Sequence, residues 1–236
     1  SFVSGAPEPD MDKLFTRTKE LLDSVKAEYP KVMLEQVVTA HTTHKSVYLN
    51  NHGVQYESTS GSYSVSLMFS GQEGEKSSSF NGAYLITDNL DTPFLELSNI
   101  RQNLADAENQ IHTKPAEGKF EGTVIFTPDC LGSMLYSLIG NYVTDGVLLD
   151  GTSLWKDALD TKVVDERITL SMNPSDSRVV NGEKYTGEGF ISQDFDLIKN
   201  GVLKQFMLSS YGANKVGKTR APNFSYAMIM QPGDTP

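Results

Sequence analysis

Residues 32–74 read VMLEQVVTAHTTHKSVYLNNHGVQYESTSGSYSVSLMFSGQEG. The stretch is rich in Val, Thr, Tyr and Ser, and β-branched and aromatic side chains suit a pleated, half-buried surface. Turn signals stand at Asn50-Asn51-His52-Gly53 and at Gly71, so three or four antiparallel strands are expected. The segment just before it has another period. Asp10 is placed as an N-cap, Met11, Leu14, Phe15, Leu21, Leu22 and Val25 recur at helical spacing, and Pro30 marks the stop. A helix followed by antiparallel strands predicts an α+β protein.

Working outward, residues 1–9 (SFVSGAPEP) read as a linker or a cut end. Phe80 to Ile86 adds a strand. A second helix is expected from Pro93 to Ile111, capped by Asp91 or Thr92, with Phe94, Leu97, Ile100, Leu104 and Ile111 facing inward. The polar link TKPAEGK (113–119) separates a helix and antiparallel-sheet region, 10–115, from a strand-rich domain, 116–236. There GTVIFTP (122–128) reads as a strand entering a helix, with Thr127 as cap and Pro128 in the first turn. ERITLSM (166–172), RVVNGEKYTGEGFI (178–191) and FDLIKNGVLKQFMLSSYG (195–212) read as further strands, with two-residue hairpin turns at Asn181-Gly182 and Asn200-Gly201. The expected architecture is therefore α+β: a helix with an antiparallel sheet, then a strand-rich domain enclosing one central helix.

Composition excludes several function classes. With 38% hydrophobic and 21% charged residues of both signs, the 236-residue chain reads as a soluble globular protein. Its apolar runs are far shorter than the roughly 20 residues that cross a bilayer, so no membrane partner is expected. A net charge of −10 without a Lys/Arg cluster argues against direct contact with nucleic acid. The lone Cys130 allows no intrachain disulfide. Ser1–Asp10 has neither a basic n-region nor an apolar h-region, so a reducing cytoplasm is the expected compartment.

Few residues offer chemistry. His41 and His44 would share a metal on a helix, but the flanking VVTA and KSVYL predict a strand, where they point to opposite faces. His52 falls in a turn and His112 at a helix end, so no ligand set emerges. Cys130, near a helix N-terminus, has a favourable dipole but Asp129 opposes a thiolate; a small buried residue is the plainer reading. Asp194-Phe195-Asp196 with Lys199-Asn200-Gly201 lacks the ligands of a calcium loop and reads as a hairpin. Glu183, Glu188, Asp194 and Asp196 could supply a hydrolytic carboxylate pair, which sequence spacing cannot establish. Neither a P-loop nor GxGxxG occurs.

The stretch GSMLYSLIGNYVT (132–144) is helical in pattern yet carries no charge. Leu131, Met134, Leu135, Leu138, Ile139 and Tyr142 fall on one arc, the expected core stripe. Gly132, Ser133, Tyr136, Ser137, Gly140 and Asn141 fall on the other, a small uncharged surface that another backbone can approach. Two readings stand: a helix buried on both sides in its own domain, or a face opposed to a partner subunit or peptide. No side chain on that face is a strong acid, base or metal ligand at neutral pH.

TGEGFISQDFDLIKNGVLKQFMLSSYGANKVG (186–217) resembles the C-terminal region of the TldD/PmbA family, also called TldE and historically labelled modulators of DNA gyrase. VIFTPDCLGSMLYSLIGNYVTDG, LDGTSLWKD and TTHKSVYLNNHGVQYESTSGSYSVSLMF fit the same family in the same order, so the likeness covers nearly the whole chain. The resemblance implies a cytoplasmic, bacterial two-subunit peptidase acting on unfolded or modified peptides, including peptide-antibiotic maturation. In its active TldD-type subunit an HExxxH helix binds zinc through two histidines while the Glu activates water. Laid on that motif, Tyr136 and Asn141 occupy the histidine positions and Ser137 the glutamate position. This implies a PmbA/TldE-like subunit with no cofactor of its own, zinc residing in a TldD-type partner, and Gly132, Ser133 and Gly140 on a partner- or peptide-facing surface. Relatives are longer, so a central-to-C-terminal fragment is expected, and KTRAPNF (218–224) lacks the family's Thr-Gly-Asn. The rival readings are a stand-alone hydrolase using Cys130 or a carboxylate pair, and a regulatory or scaffold homodimer without catalysis.

Overall fold

The computed structural model describes residues 1–115, 118–119 and 121–233. The chain divides into two compact units, residues 1–119 and 120–236. Part of the link expected at 113–119 and the last residues of MQPGDTP lie outside the described residues.

The first unit begins with β1 (Phe2–Gly5), where a linker or cut end is expected. Its main chain finds partners by running parallel to a later strand, Phe2 opposite Ser58 and Gly5 opposite Gly61. Helix α1 (Met11–Glu28) starts at its predicted cap, where the Asp10 carboxylate accepts from the Lys13 N–H at 2.9 Å. Leu14, Leu21 and Val25 are buried, and Thr18 completes the stripe by meeting the Thr39 hydroxyl at 2.9 Å. Met11, Phe15 and Leu22, which share the helical spacing, are exposed because that single stripe is all that reaches the sheet.

Residues 32–73 form two long strands where three or four are expected. Strands β2 (Val32–Leu49) and β3 (Gln55–Glu73) pair antiparallel from Val32–Gly71 to Leu49–Gln55. The turn falls where the sequence signals it: the Asn50 side chain accepts from the N–H groups of His52 and Val54, at 3.0 and 3.1 Å. Gly71 is not a turn. A Cβ there would lie 2.3 Å from the Ala107 carbonyl oxygen, so this glycine lets a helix rest directly on the strand.

Strands β4 (Lys76–Ser77) and β5 (Asn81–Thr87) return along the far edge of β3, the latter close to its expected place. The helix expected from Pro93 to Ile111 is interrupted. A 3-10 turn at Phe94–Glu96 precedes α2 (Ile100–Asn109), with Ser98 between them at φ +54°. A left-handed residue cannot continue a right-handed helix. Asp91 does not cap it but pairs with Lys13 at 2.7 Å. The inward spacing nevertheless holds, for Phe94, Ile100, Leu104 and Ile111 are buried while Leu97 is half-buried.

In the second unit no strand forms at GTVIFTP: Val124, Ile125 and Phe126 are exposed, at 66%, 85% and 51%. Helix α3 (Pro128–Tyr142) begins as predicted with Pro128 in its first turn, though the Thr127 side chain makes no capping bond. Helix α4 (Asp145–Leu149) follows. Strands β6 (Leu170–Met172), β7 (Phe195–Lys199), β8 (Val202–Leu203) and β9 (Met228–Met230) form a sheet in the order β8-β7-β6-β9. Asn200 and Gly201, at φ +47° and +76°, make the predicted hairpin turn. Asn181-Gly182 does not. Residues 178–191 contribute only an isolated bridge between Tyr185 and Ile191. The strand read through SSYG is helix α5 (Ser210–Val216), opened by the Ser209 hydroxyl accepting from the Gly212 N–H and closed by left-handed Gly217. Ile139, Val143, Leu170, Met172, Leu197, Ile198, Leu203, Phe206 and Leu208 form this unit's core. The expected α+β class holds, with two sheets and five α-helices among the described residues.

Candidate functional site

Helix α3 carries every position at which the sequence places degenerate chemistry. Among its described side chains Ile139 alone is buried, while Leu131, Leu135, Leu138 and Tyr142 are half-buried and Met134 is 43% exposed. The core stripe therefore exists but is thinner than its arc suggests. The reading that buries both faces within one domain fails. Ser133, Tyr136, Ser137, Gly140 and Asn141 are exposed, and nothing from elsewhere among the described residues lies within 4 Å of a Cβ built on Gly132 or Gly140.

The uncharged face satisfies its own donors. Ser133 Oγ donates to the Cys130 carbonyl at 2.9 Å, Ser137 Oγ to Ser133 at 3.0 Å, and Asn141 Nδ2 to Ser137 at 2.8 Å. Just beyond the helix, Thr144 Oγ1 donates to the Gly140 carbonyl at 3.1 Å. Short hydroxyl and amide side chains reach carbonyls one turn back, which is why the face needs no Lys or Glu to be satisfied.

Two clefts flank this helix. One, of about 620 Å³, is lined by Leu131, Leu135, Tyr136, Tyr226, Met228 and Met230 among others. The Tyr136 and Tyr226 rings pack against each other on its lining, centroids 5.0 Å apart and tilted by 32°. The other, of about 360 Å³, takes in Met134, Ser137, Leu138, Asn141, Val164 and Ile198. The degenerate positions thus divide, Tyr136 lining the first cleft and Ser137 and Asn141 the second. Tyr226 was not singled out in the sequence. It lies 90 positions from Tyr136, and no local pattern marks it.

The candidate carboxylates do not pair with one another; each is held by a serine. Glu183 accepts from Ser192 Oγ at 2.5 Å and from the Phe224 N–H at 3.1 Å. Glu188 accepts from the N–H and hydroxyl of Ser210, and Asp194 from those of Ser175. Asp196 accepts from Ser171 Oγ at 2.6 Å and pairs with Lys199 at 2.9 Å; the hydroxyl, then the ammonium, holds its carboxyl below the usual aspartate value. Another carboxylate missed in the sequence, Asp145, binds the N–H and hydroxyl of Ser209.

The histidines are scattered. His41 lies on β2 and donates from Nε2 to the Ala6 carbonyl at 2.7 Å, while His44 is exposed on the same strand and His52 in the turn. His112 donates to Glu73 at 2.5 Å, which Lys31 also holds at 2.7 Å. Cys130 is exposed, not the buried residue expected, and no base bonds to it among the described residues; the Asp129 side chain lies outside them. A zinc site built on α3 does not fit these residues: Tyr136 and Asn141 offer a phenol and an amide where imidazoles would be needed. Among the described residues no group of three or more His, Cys, Asp or Glu gathers anywhere. No helix among them is long and apolar enough to cross a membrane.

Residues 118–235, half of the chain, match the model of the PmbA/TldA metallopeptidase C-terminal domain. The metalloprotease PmbA homolog of Haemophilus influenzae is 26% identical over 184 residues, which cover 75% of this chain and 39% of that protein. The zinc metalloprotease TldD homolog of Saccharolobus solfataricus is 28% identical over 157 residues, covering 59% and 34%. Among solved structures, TldE of Thermococcus kodakarensis shares the fold with a TM-score of 0.74 at 14% identity, over 96% of this chain and 53% of that one. The chain spans just over a third of these two curated relatives and about half of that solved chain.

Proposed function

The chain belongs to the PmbA/TldD metallopeptidase family, and from that premise we propose that it is a PmbA/TldE-like, non-catalytic subunit of a two-subunit metallopeptidase that processes unfolded or modified peptides. A TldD-type partner supplies the zinc, and this chain helps admit an extended peptide to the shared cavity. One observation carries the reading. Where the family's active helix has His, Glu and His, α3 has Tyr136, Ser137 and Asn141, the last two bonded to the helix's own carbonyls. None of these side chains activates water or binds zinc at neutral pH. The half-buried Gly132 and the exposed Ser133 and Gly140 leave room for a partner or peptide backbone. Cytoplasmic residence belongs to the same reading, as does an absence of direct nucleic-acid contact, which the net charge of −10 supports.

The test is a pull-down with tagged protein from lysate of its own organism. An HExxxH subunit should co-elute with zinc-dependent peptide cleavage, and the tagged protein alone should be inactive. Activity from the isolated chain, abolished by Cys130→Ala or by one carboxylate substitution, would replace this reading with a stand-alone hydrolase. A stable homodimer without a metal subunit would replace it with a scaffold.

A further inference from the structure

We propose that Phe190, Tyr211, Lys215, Lys218 and Arg220 form a docking surface for an acidic segment of another polypeptide, with Arg220 taking one of its carboxylates. The surface lies within the second unit and does not depend on the subunit assignment above. The chain has a net charge of −10, yet from Leu197 to Gly233 it carries five cations and no Asp or Glu. Two of these cations are neutralised: Lys199 pairs with Asp196 at 2.9 Å and Lys204 with Asp160 at 2.6 Å. The other three, Lys215, Lys218 and Arg220, fall within six residues and meet aromatic rings instead of carboxylates. Lys215 Nζ stands 5.6 Å from the Tyr211 ring centroid, Lys218 Nζ 5.0 Å from that of Phe206, and the Arg220 guanidinium carbon 3.6 Å from that of Phe190. Among the described residues none of the three makes an ion pair, whereas Arg17, Arg101, Arg167 and Arg178 all do.

The backbone that carries these cations is held in place. The Lys218 N–H donates to the Ala213 carbonyl at 3.0 Å and the Ala221 N–H to that of Leu208 at 2.8 Å. Gln205 Nε2 donates to the carbonyls of Thr219 and Arg220, at 3.2 and 3.1 Å. Phe190 is fixed by the Thr186 N–H, which donates to its carbonyl at 2.8 Å. Glu188, in the same turn, is bound by the N–H and hydroxyl of Ser210, which joins that turn to α5 and leaves Arg220 unpaired. An aromatic ring attracts a cation without neutralising it. The Phe190 ring covers one face of the Arg220 guanidinium and one N–H goes to the Ala221 carbonyl at 2.9 Å; the rest of the planar fork fits a carboxylate. Phe190 and Tyr211, 40% and 62% exposed, add apolar contact beside the charges. A nucleic acid is the poorer fit, because three cations neutralise few phosphates and the charge of the whole chain opposes a long polyanion. A short acidic segment needs only the local field and one bidentate pair.

The experiment is fluorescence anisotropy on the whole chain at low salt. The probe is a fluorescein-labelled octapeptide of alternating Glu and Leu, amidated at its C-terminus, and its control carries Gln in place of Glu. Wild-type protein should bind the Glu probe about tenfold more tightly than the Gln probe and lose that preference as salt rises. Arg220→Ala should weaken the Glu probe about tenfold, and Arg220→Lys, which keeps the charge without the fork, should restore only part of the loss. Lys215→Gln, at an exposed position in the last turn of α5, should weaken it about two- to fivefold and reports even if Arg220→Ala fails to fold. Equal binding of the two probes would overturn the proposal, as would Glu-probe binding that Lys215→Gln leaves unchanged. Tighter binding of a labelled oligothymidylate than of the Glu probe would overturn it too, and would assign the surface to nucleic acid.

Discussion

Asn141 donates its side-chain amide to the main-chain carbonyl of Ser137, one helical turn back, at 2.8 Å. On the reading proposed above, the bond joins the two positions laid on the second histidine and the glutamate of the family's active helix. What would be a reactive pair is here a local tie within one helix.

That tie predicts tolerance. Ser137 and Asn141 are exposed, and among the described residues their side-chain bonds reach only their own helix. Alanine is the better helix former by about 0.5 kcal/mol, which offsets the lost back-bonds. Ser137→Ala and Asn141→Ala should each shift the urea-derived stability by no more than about 0.5 kcal/mol. A loss of several times that would show that these side chains hold something beyond α3.

Gly71 predicts the opposite. A Cβ would stand 2.3 Å from the Ala107 carbonyl oxygen and 2.9 Å from Ile111 Cγ1. Gly71→Ala must push α2 away from β3 and should cost about 1–3 kcal/mol, as overpacked cores do. Leu104→Ala, on the same helix and wholly buried, should cost about 2–5 kcal/mol through the cavity it leaves. Chemical denaturation of both variants beside wild type checks the pair; a neutral Gly71→Ala would mean the helix is free to move.

Asp145 anchors α5 by accepting from the Ser209 N–H at 2.9 Å and from its hydroxyl. Asp145→Ala leaves that half-buried N–H without its acceptor and should cost about 1–3 kcal/mol. Asp145→Asn keeps one acceptor oxygen and should cost less. Hydrogen exchange at α5 amides should rise in the alanine variant; unchanged protection would contradict the anchoring role.

Glu73 predicts an acid-sensitive step in the first unit. Hydrogen bonds from Lys31, then His112, lower its carboxyl from 4.5 to about 2. A depressed carboxyl stabilises the fold above its unfolded value and loses that contribution as the pH falls through its folded value. The contribution should therefore be whole above pH 4.5 and fade toward pH 2. Glu73→Gln should flatten the urea midpoint over that window and leave its pH dependence near neutrality unchanged. An unaltered acid slope would remove Glu73 from the explanation.

Much of the fold was legible because its signals are local. The Asp10 cap, the Asn50–Gly53 turn and the Asn200-Gly201 hairpin each depend on residues within a few positions of one another. Helix α3 was legible too, from its apolar spacing and Pro128. Gly71 misled because a strand glycine beneath a helix looks in sequence like a turn. Ser98 broke a helix whose apolar spacing ran straight through it. GTVIFTP has strand composition, yet a strand exists only where a neighbouring edge accepts it.

From its own residues the chain determined its α+β class, the caps and turns that begin and end its elements, and the absence of His and Glu from α3. Those are properties of residue type and short-range spacing, where one hydrogen bond or one φ angle decides. The tertiary structure alone decided that the charge-free face is exposed, that each candidate carboxylate is held by a serine, and that Tyr226 packs on Tyr136 beside an apolar cleft. Such relationships join residues 9 to 90 positions apart. They arise from packing, in which what a side chain touches depends on where the whole chain has brought its neighbours.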